Sequence, residues 1–146
     1  MRNYIGCKLI QAEPMEKEGR EGYKVIYKDG YESWSPKDVF EEAYLPLSIN
    51  YNLKTDAPSI GHDMVEAFIE DVETMTLGEK NTVVRAILKN GFEIIESSAC
   101  VSKENYCEEL GTTICMEKIE DKVWFLLGFM LQSAVNGFNS NGKETK

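Results

Sequence analysis

The sequence contains a single histidine, His62, and four cysteines among 146 residues. A Ser/His/Asp triad would have only that imidazole to draw on, and no nucleophile motif stands beside it. Cys7, Cys100, Cys107 and Cys115 follow one another at gaps of 93, 7 and 8 residues. Those gaps fit neither a CxxC zinc knuckle nor a dense secreted disulfide framework, so reduced thiols are expected and no cofactor is. Positive charge is scarce as well: 16 Lys and Arg stand against 25 Asp and Glu, for a net charge of -9. Such a surface repels phosphate backbones and anionic lipid, which excludes general nucleic-acid binding. Glycine-rich phosphate loops are missing too, because Gly91, Gly111 and Gly128 stand singly. No apolar stretch follows Met1-Arg2, so no secretory signal is read. The run from Val123 to Leu131 is far short of the ~20 residues a membrane span needs. A cytosolic protein without membrane contact is the expectation.

With 42% apolar and 28% charged residues, the chain has the composition of a globular protein. In residues 1–47, Tyr23 to Lys28 and Tyr31 to Trp34 flank Asp29-Gly30, which predicts a hairpin on a two-residue turn with Val25 opposite Trp34. Ser35-Pro36-Lys37-Asp38 predicts a helix start with Ser35 as cap, and a short helix to about Tyr44 burying Val39, Phe40 and Ala43. Residues 48–61, with Pro58 and Gly61 among Asn, Ser and Asp, read as a linker.

Within residues 62–136, Val65, Phe68, Ile69, Val72 and Met75 have helical spacing, with Asp63 and Glu66 as a capping pair, and predict a helix of about 13 residues. A second hairpin is expected from Asn81 to Ala99 around Asn90-Gly91, pairing Ile87 with Ile94 and Arg85 with Glu96. Ser102 can cap a short turn, after which a long helix runs from about Glu108 to Val135. Its stripe is Ile119, Val123, Leu126, Leu127, Met130, Leu131 and Ala134, and Trp124, Phe125 and Phe129 make it apolar nearly all round from Val123 to Leu131. Such a girdle needs cover, and a homo-oligomer interface through Val123 to Leu131 is expected. Residues 137–146 read as a flexible tail. The implied class is α+β: a small N-terminal antiparallel β module with one short helix, then a helix, a β-hairpin and a long C-terminal helix.

Chemistry-bearing clusters are few. The carboxylates fall mostly in runs that form solvated helix faces, so no enzyme is expected. Tyr23, Tyr27, Tyr31 and Trp34 are either a stacking platform or the packing of a core short of aliphatic residues. Arg85, in mid-strand, is either the partner of Glu96 or an anion contact. Asn90 and Phe92 sit at the second turn, and Asn105, Tyr106, Thr112 and Thr113 cluster near the start of the long helix, where free N–H groups favour an anion.

Leu88-Lys89-Asn90-Gly91-Phe92, Ser98-Ala99-Cys100-Val101, Asn105-Tyr106, Leu110-Gly111, Lys122-Val123-Trp124 and Leu126 to Leu131 together make residues 62–135 resemble a family of small tailed-phage proteins. That family is typified by gene product forty-nine of coliphage N-four and gene sixty-six of phage Sf-six. The first unit, from Tyr4-Ile5-Gly6 to Gly30-Tyr31-Glu32-Ser33-Trp34-Ser35-Pro36, resembles a module common on small proteins of phages of Gram-positive hosts. In size and plan the chain is also similar to the Thoeris anti-defence sponges, phage oligomers that sequester cyclic nucleotide immune signals. These resemblances imply a non-catalytic counter-defence protein of the host cell cytoplasm. Its ligand would be a cyclic nucleotide held by Arg85, Asn90, Phe92, Asn105, Tyr106, Thr112 and Thr113. The alternative partner is a host defence protein inhibited by the acidic surface.

Overall fold

The computed structural model describes residues 1–139 and has an α+β fold. It divides into two units: residues 1–47 with the helical segment from Phe129, and residues 48–128. Residues 48–61, expected to be a linker, group with the second unit. There Ser48 Oγ donates to Asp63 Oδ1, and Asn50 Nδ2 donates to Ser59 Oγ. Residues 140–146 of the expected tail lie outside the described residues. Its start, Gly137, donates its N–H to Ser133 O at 2.7 Å and so ends the long helix.

In the first unit, β1 (Gln11–Pro14), β2 (Gly22–Ile26) and β3 (Glu32–Pro36) form an antiparallel meander in the order β1-β2-β3, followed by α1 (Lys37–Ala43). The two-residue turn with positive φ at both centres lies at Glu18-Gly19, inside a charged loop, closed by the Lys17–Arg20 bridge. At Asp29-Gly30 the turn is different. Tyr27 N bonds to Tyr31 O at 2.9 Å, Gly30 N to Tyr27 O at 2.9 Å, and Gly30 alone has positive φ, at 89°. This three-residue loop shifts the register by one, so Val25 lies opposite Ser33, and Trp34 opposite Lys24.

The expected cap is displaced as well: Pro36 holds the N-cap position of α1, and no side chain caps it. Of Val39, Phe40 and Ala43, only Phe40 is half-buried. Its ring stacks between Tyr23 and Tyr44, at centroid distances of 4.1 and 4.9 Å. Tyr23 and Trp34 point to opposite faces of the sheet, and Trp34 Nε1 donates to Met15 O at 2.8 Å. The aromatic set thus pairs off locally and makes no single stacking platform.

The second unit holds α2 (His62–Phe68), β4 (Ile69–Leu77), β5 (Asn81–Leu88) and β6 (Glu93–Ala99). One 3-10 turn (Lys103–Asn105) then leads to the long helix α3 (Glu108–Asn136). The expected 13-residue helix stops at Phe68, with Gly61 as N-cap, and the hairpin is a three-stranded sheet in the order β4-β5-β6. Val65 and Phe68 do face inward, but Val72 and Met75 are exposed strand residues. Pairing along β5 satisfies the β4 backbone and overrides a weak helical spacing.

The Asn90-Gly91 turn repeats the structure at Asp29-Gly30. Leu88 N bonds to Phe92 O, Gly91 N to Leu88 O, and Gly91 has φ 84°. Asp29 Oδ1 and Asn90 Oδ1 each accept the N–H two residues on, at 3.0 Å, and a single left-handed glycine then closes each loop. The register follows: Ala86 lies opposite Ile94, Ile87 opposite Glu93, and Arg85 opposite Ile95 and Glu73. This places Thr82, Val84, Ala86, Leu88 and Ile94 together on the buried face.

Against that face lies a line along α3: Gly111, Cys115, Ile119, Val123 and Leu127, spaced by four. The line begins earlier and is narrower than the predicted stripe, since Leu126 is exposed and Met130, Leu131 and Ala134 are only half-buried. Gly111 lets the helix approach Thr82, Cys115 Sγ lies 3.8 Å from Thr82 O, and Lys118 Nζ donates to Ser97 O at 2.8 Å. Among the described residues, no helix is long and apolar enough to cross a membrane.

Candidate functional site

The residues singled out from sequence separate into three places. Arg85 stands on the outer face of the β4-β5-β6 sheet, opposite in direction to Thr82 and the buried row. Its Nη1 donates to Glu73 Oε2 at 2.9 Å, and its Nη2 pairs with Glu93. Those bonds, the one to Glu93 foremost, raise the guanidinium pKa above its ordinary value. The expected partner Glu96 points to the other face and pairs with Lys122 of α3. A one-residue register shift makes this exchange.

Asn90 and Phe92 are at the hairpin tip. The Asn90 side chain is spent on the Phe92 N–H, while the Phe92 ring is exposed.

Asn105, Tyr106, Thr112 and Thr113 surround the start of α3. Tyr106 reaches the sheet: its hydroxyl lies 2.7 Å from Thr76 Oγ1 and 3.0 Å from Thr82 Oγ1. Thr76 also donates to Glu108. Thr112 and Thr113 hydroxyls donate back to Glu108 O and Glu109 O, one turn earlier. Asn105 is exposed on the 3-10 turn. With Glu108 and Glu109 in its first turn, this helix start already carries negative charge where an anion would sit. Ser102 donates to Glu104 and holds that carboxyl below its ordinary range.

The fold assembles two other places. One is a groove of about 370 Å³ between β6 and α3, lined by Phe92, Ile94, Ile95, Phe125 and Leu126, with Glu93 and Lys122 beside them. Phe92 is 56% exposed and Phe125 77%, so two aromatic side chains meet water at one opening, while Ile95, 61% exposed, points to the outer sheet face beside Arg85. Both charged groups at the groove are engaged, Glu93 with Arg85 and Lys122 with Glu96. Phe92 was named from the sequence as a ligand contact, and Phe125 and Leu126 as part of the girdle expected to form a subunit interface. The register turns Ile95 outward, opposite Arg85.

The second place surrounds His62. Glu66, one turn along α2, sets Oε1 3.6 Å from His62 Nδ1, and Glu120 of α3 sets Oε2 3.9 Å from His62 Nε2. Trp124, one turn after Glu120, has its ring 6.5 Å from the imidazole. His62 and Trp124 also line a cavity of about 400 Å³ with Ile49, Asn50, Tyr51, Asn52, Leu53, Ile60 and Gly61. Nearby, the hydrogen bond from Ser48 holds the Asp63 carboxyl below its ordinary value. His62 was set aside in the sequence because no nucleophile motif stands beside it. The carboxylate at i+4 was the available signal.

Residues 60–135 match the model of the Phage protein (N4 Gp49/phage Sf6 gene 66) family. The match covers more than half of the chain, and the protein belongs to that family. No curated protein and no solved structure matches the chain.

The two carboxylates around Arg85 define an expected result. Arg85→Ala should lower the melting temperature slightly in dilute buffer, because it leaves Glu73 and Glu93 unscreened on one sheet face. The difference from the parent should vanish near ~1 M salt, where the screening length falls to about 3 Å. Thermal melts at two ionic strengths check this, and a large salt-independent loss would mean that Arg85 carries packing as well.

Proposed function

We propose that this phage protein is a non-catalytic, self-associating binder in the host cell cytoplasm that inhibits a host defence protein. The groove between β6 and α3 carries this reading. Exposed Phe92 and Phe125 are aromatic anchors that bury well in a protein interface, and the surrounding charge is already paired. The net charge of -9 adds long-range attraction toward a basic partner. A cyclic nucleotide sponge, the other role implied by resemblance, needs a cation facing the phosphate. Arg85 has carboxylates on both sides, and Thr112 and Thr113 spend their hydroxyls on their own helix.

Self-association uses the exposed side of α3, where Phe125 and Phe129 are one turn apart. Phe125→Glu should shift the sedimenting species to the 16.6 kDa chain and abolish inhibition of the defence system in infected cells. A parent protein that sediments only at 16.6 kDa at micromolar concentration refutes the self-association. Calorimetry against cyclic di- and trinucleotides and cyclic ADP-ribose isomers separates the two roles. Saturable heat that is lost in Arg85→Ala would restore the sponge, and an absence of heat supports the protein partner.

A further inference from the structure

We infer that His62, Glu66 and Glu120 form a binding site for a first-row divalent metal ion, zinc fitting best, beside the cavity that His62 and Trp124 line. Two elements distant in sequence build it. His62 and Glu66 share one face of α2 by their spacing of four, and α3 presents Glu120 and Trp124 to them from successive turns. One ligand atom from each of the three residues lies within 4.8 Å of the other two. Among the described residues this is the grouping of three potential metal ligands.

The donor set chooses the ion. Imidazole nitrogen with carboxylate oxygen, and no thiolate, suits zinc and its first-row neighbours, whereas calcium and magnesium take oxygen ligands alone. Ligands at about 2.0–2.2 Å from zinc stand roughly 3–3.5 Å from one another. The three ligand atoms, within 4.8 Å of one another, need to draw in by roughly 1–2 Å to reach that spacing, and the exposed arm of Glu66 has the freedom to do so. One imidazole nitrogen takes the ion, and the carboxylate that faces the other nitrogen swings to the ion's side of the ring. A divalent ion also neutralises two carboxylates that face a single imidazole on an already acidic surface.

The cavity is the second, independent observation. Three protein ligands leave zinc an open position, and His62 borders about 400 Å³ of space lined by Asn50, Tyr51, Asn52 and Trp124.

Trp124 supplies the readout. In the full chain carrying Trp34→Phe, cobalt(II) should quench the remaining tryptophan with a one-to-one endpoint. Zinc should displace it, with a dissociation constant in the micromolar range. His62→Ala, Glu66→Gln and Glu120→Gln should each weaken zinc at least tenfold, which is about 1.4 kcal/mol, and melting curves report whether each variant is folded. Two carboxamide variants keep the test open should His62→Ala fail to fold. Absence of binding to the parent, affinity unchanged in the carboxamide variants, or a thiolate-to-cobalt charge-transfer band that assigns the ion to the cysteines would each overturn the site. None of these readouts depends on the inhibitory role, so the two proposals stand or fall separately.

Discussion

Ile119→Ala is expected to lower the stability of the second unit by about 2–5 kcal/mol, the range for truncating a large aliphatic side chain in a closed core. Ile119 is completely buried, at the middle of the line from Gly111 to Leu127 that packs on the sheet. Its neighbours on the line, Cys115 and Val123, are also fully buried, and the sheet face opposite carries Val84 and Ala86 at zero exposure. Those groups are fixed by helix and strand hydrogen bonding, so they cannot collapse into the space that the removed ethyl and methyl groups leave. Urea unfolding followed by circular dichroism should show a lower midpoint with an unchanged slope. Phe125→Ala, from the exposed side of the same helix, should move the midpoint little in a dilute sample. A comparable loss from both would mean that the two faces of α3 are equally enclosed in solution.

The second large effect runs against helix propensity. Alanine is favoured over glycine inside a helix by about 1 kcal/mol, yet Gly111→Ala should destabilise by about 1–3 kcal/mol net. A Cβ at residue 111 would stand 2.0 Å from Thr82 Oγ1, 2.7 Å from Thr82 Cβ and 3.2 Å from Ser98 Oγ. Thr82 is buried with its hydroxyl engaged by Tyr106, and Ser98 Oγ donates to Gly111 O at 3.1 Å. Making room would push the helix off the strand, and with it the hydrogen bonds that tie the start of α3 to β5 and β6. Gly128 is the internal control. A Cβ there meets nothing within 4 Å, so Gly128→Ala should stabilise by up to about 1 kcal/mol. Opposite signs from the two substitutions in one set of melts are the expected result, and a stabilising Gly111→Ala would contradict the close helix–strand approach.

Gly111 shows how far residues alone carry. It lies within the segment that matches the phage family and was read from sequence beside a supposed anion site, while its physical task is close packing. The long helix, both glycine turns and the α+β class were legible because each rests on local chemistry. Periodicity marked α3, and Asp-Gly and Asn-Gly marked the loops. Turn length was not legible, since a two-residue loop and a three-residue loop use the same dipeptides, and the difference moves every partner by one. Arg85 therefore lost Glu96 and gained Glu73 from a strand that the sequence disguised as helix. Val65, Phe68, Ile69, Val72 and Met75 satisfy a helical spacing, but Thr74 between the last two and Thr76 just after them mark a strand. The His62 cluster was invisible for another reason: Glu120 reaches it only through the packing of α3.

β4 has one more consequence. It is an edge of its sheet, hydrogen-bonded to β5 and offering its other side to any extended chain that arrives. Glu70, Asp71 and Glu73 crowd that strand, so a second copy approaching edge to edge brings like charges into register and is turned away. Near the sequence pI of about 4.7 the net repulsion between whole molecules fades. Mildly acidic buffers are thus the conditions in which copies meet with least net repulsion and an open sheet edge is most exposed to pairing strand by strand.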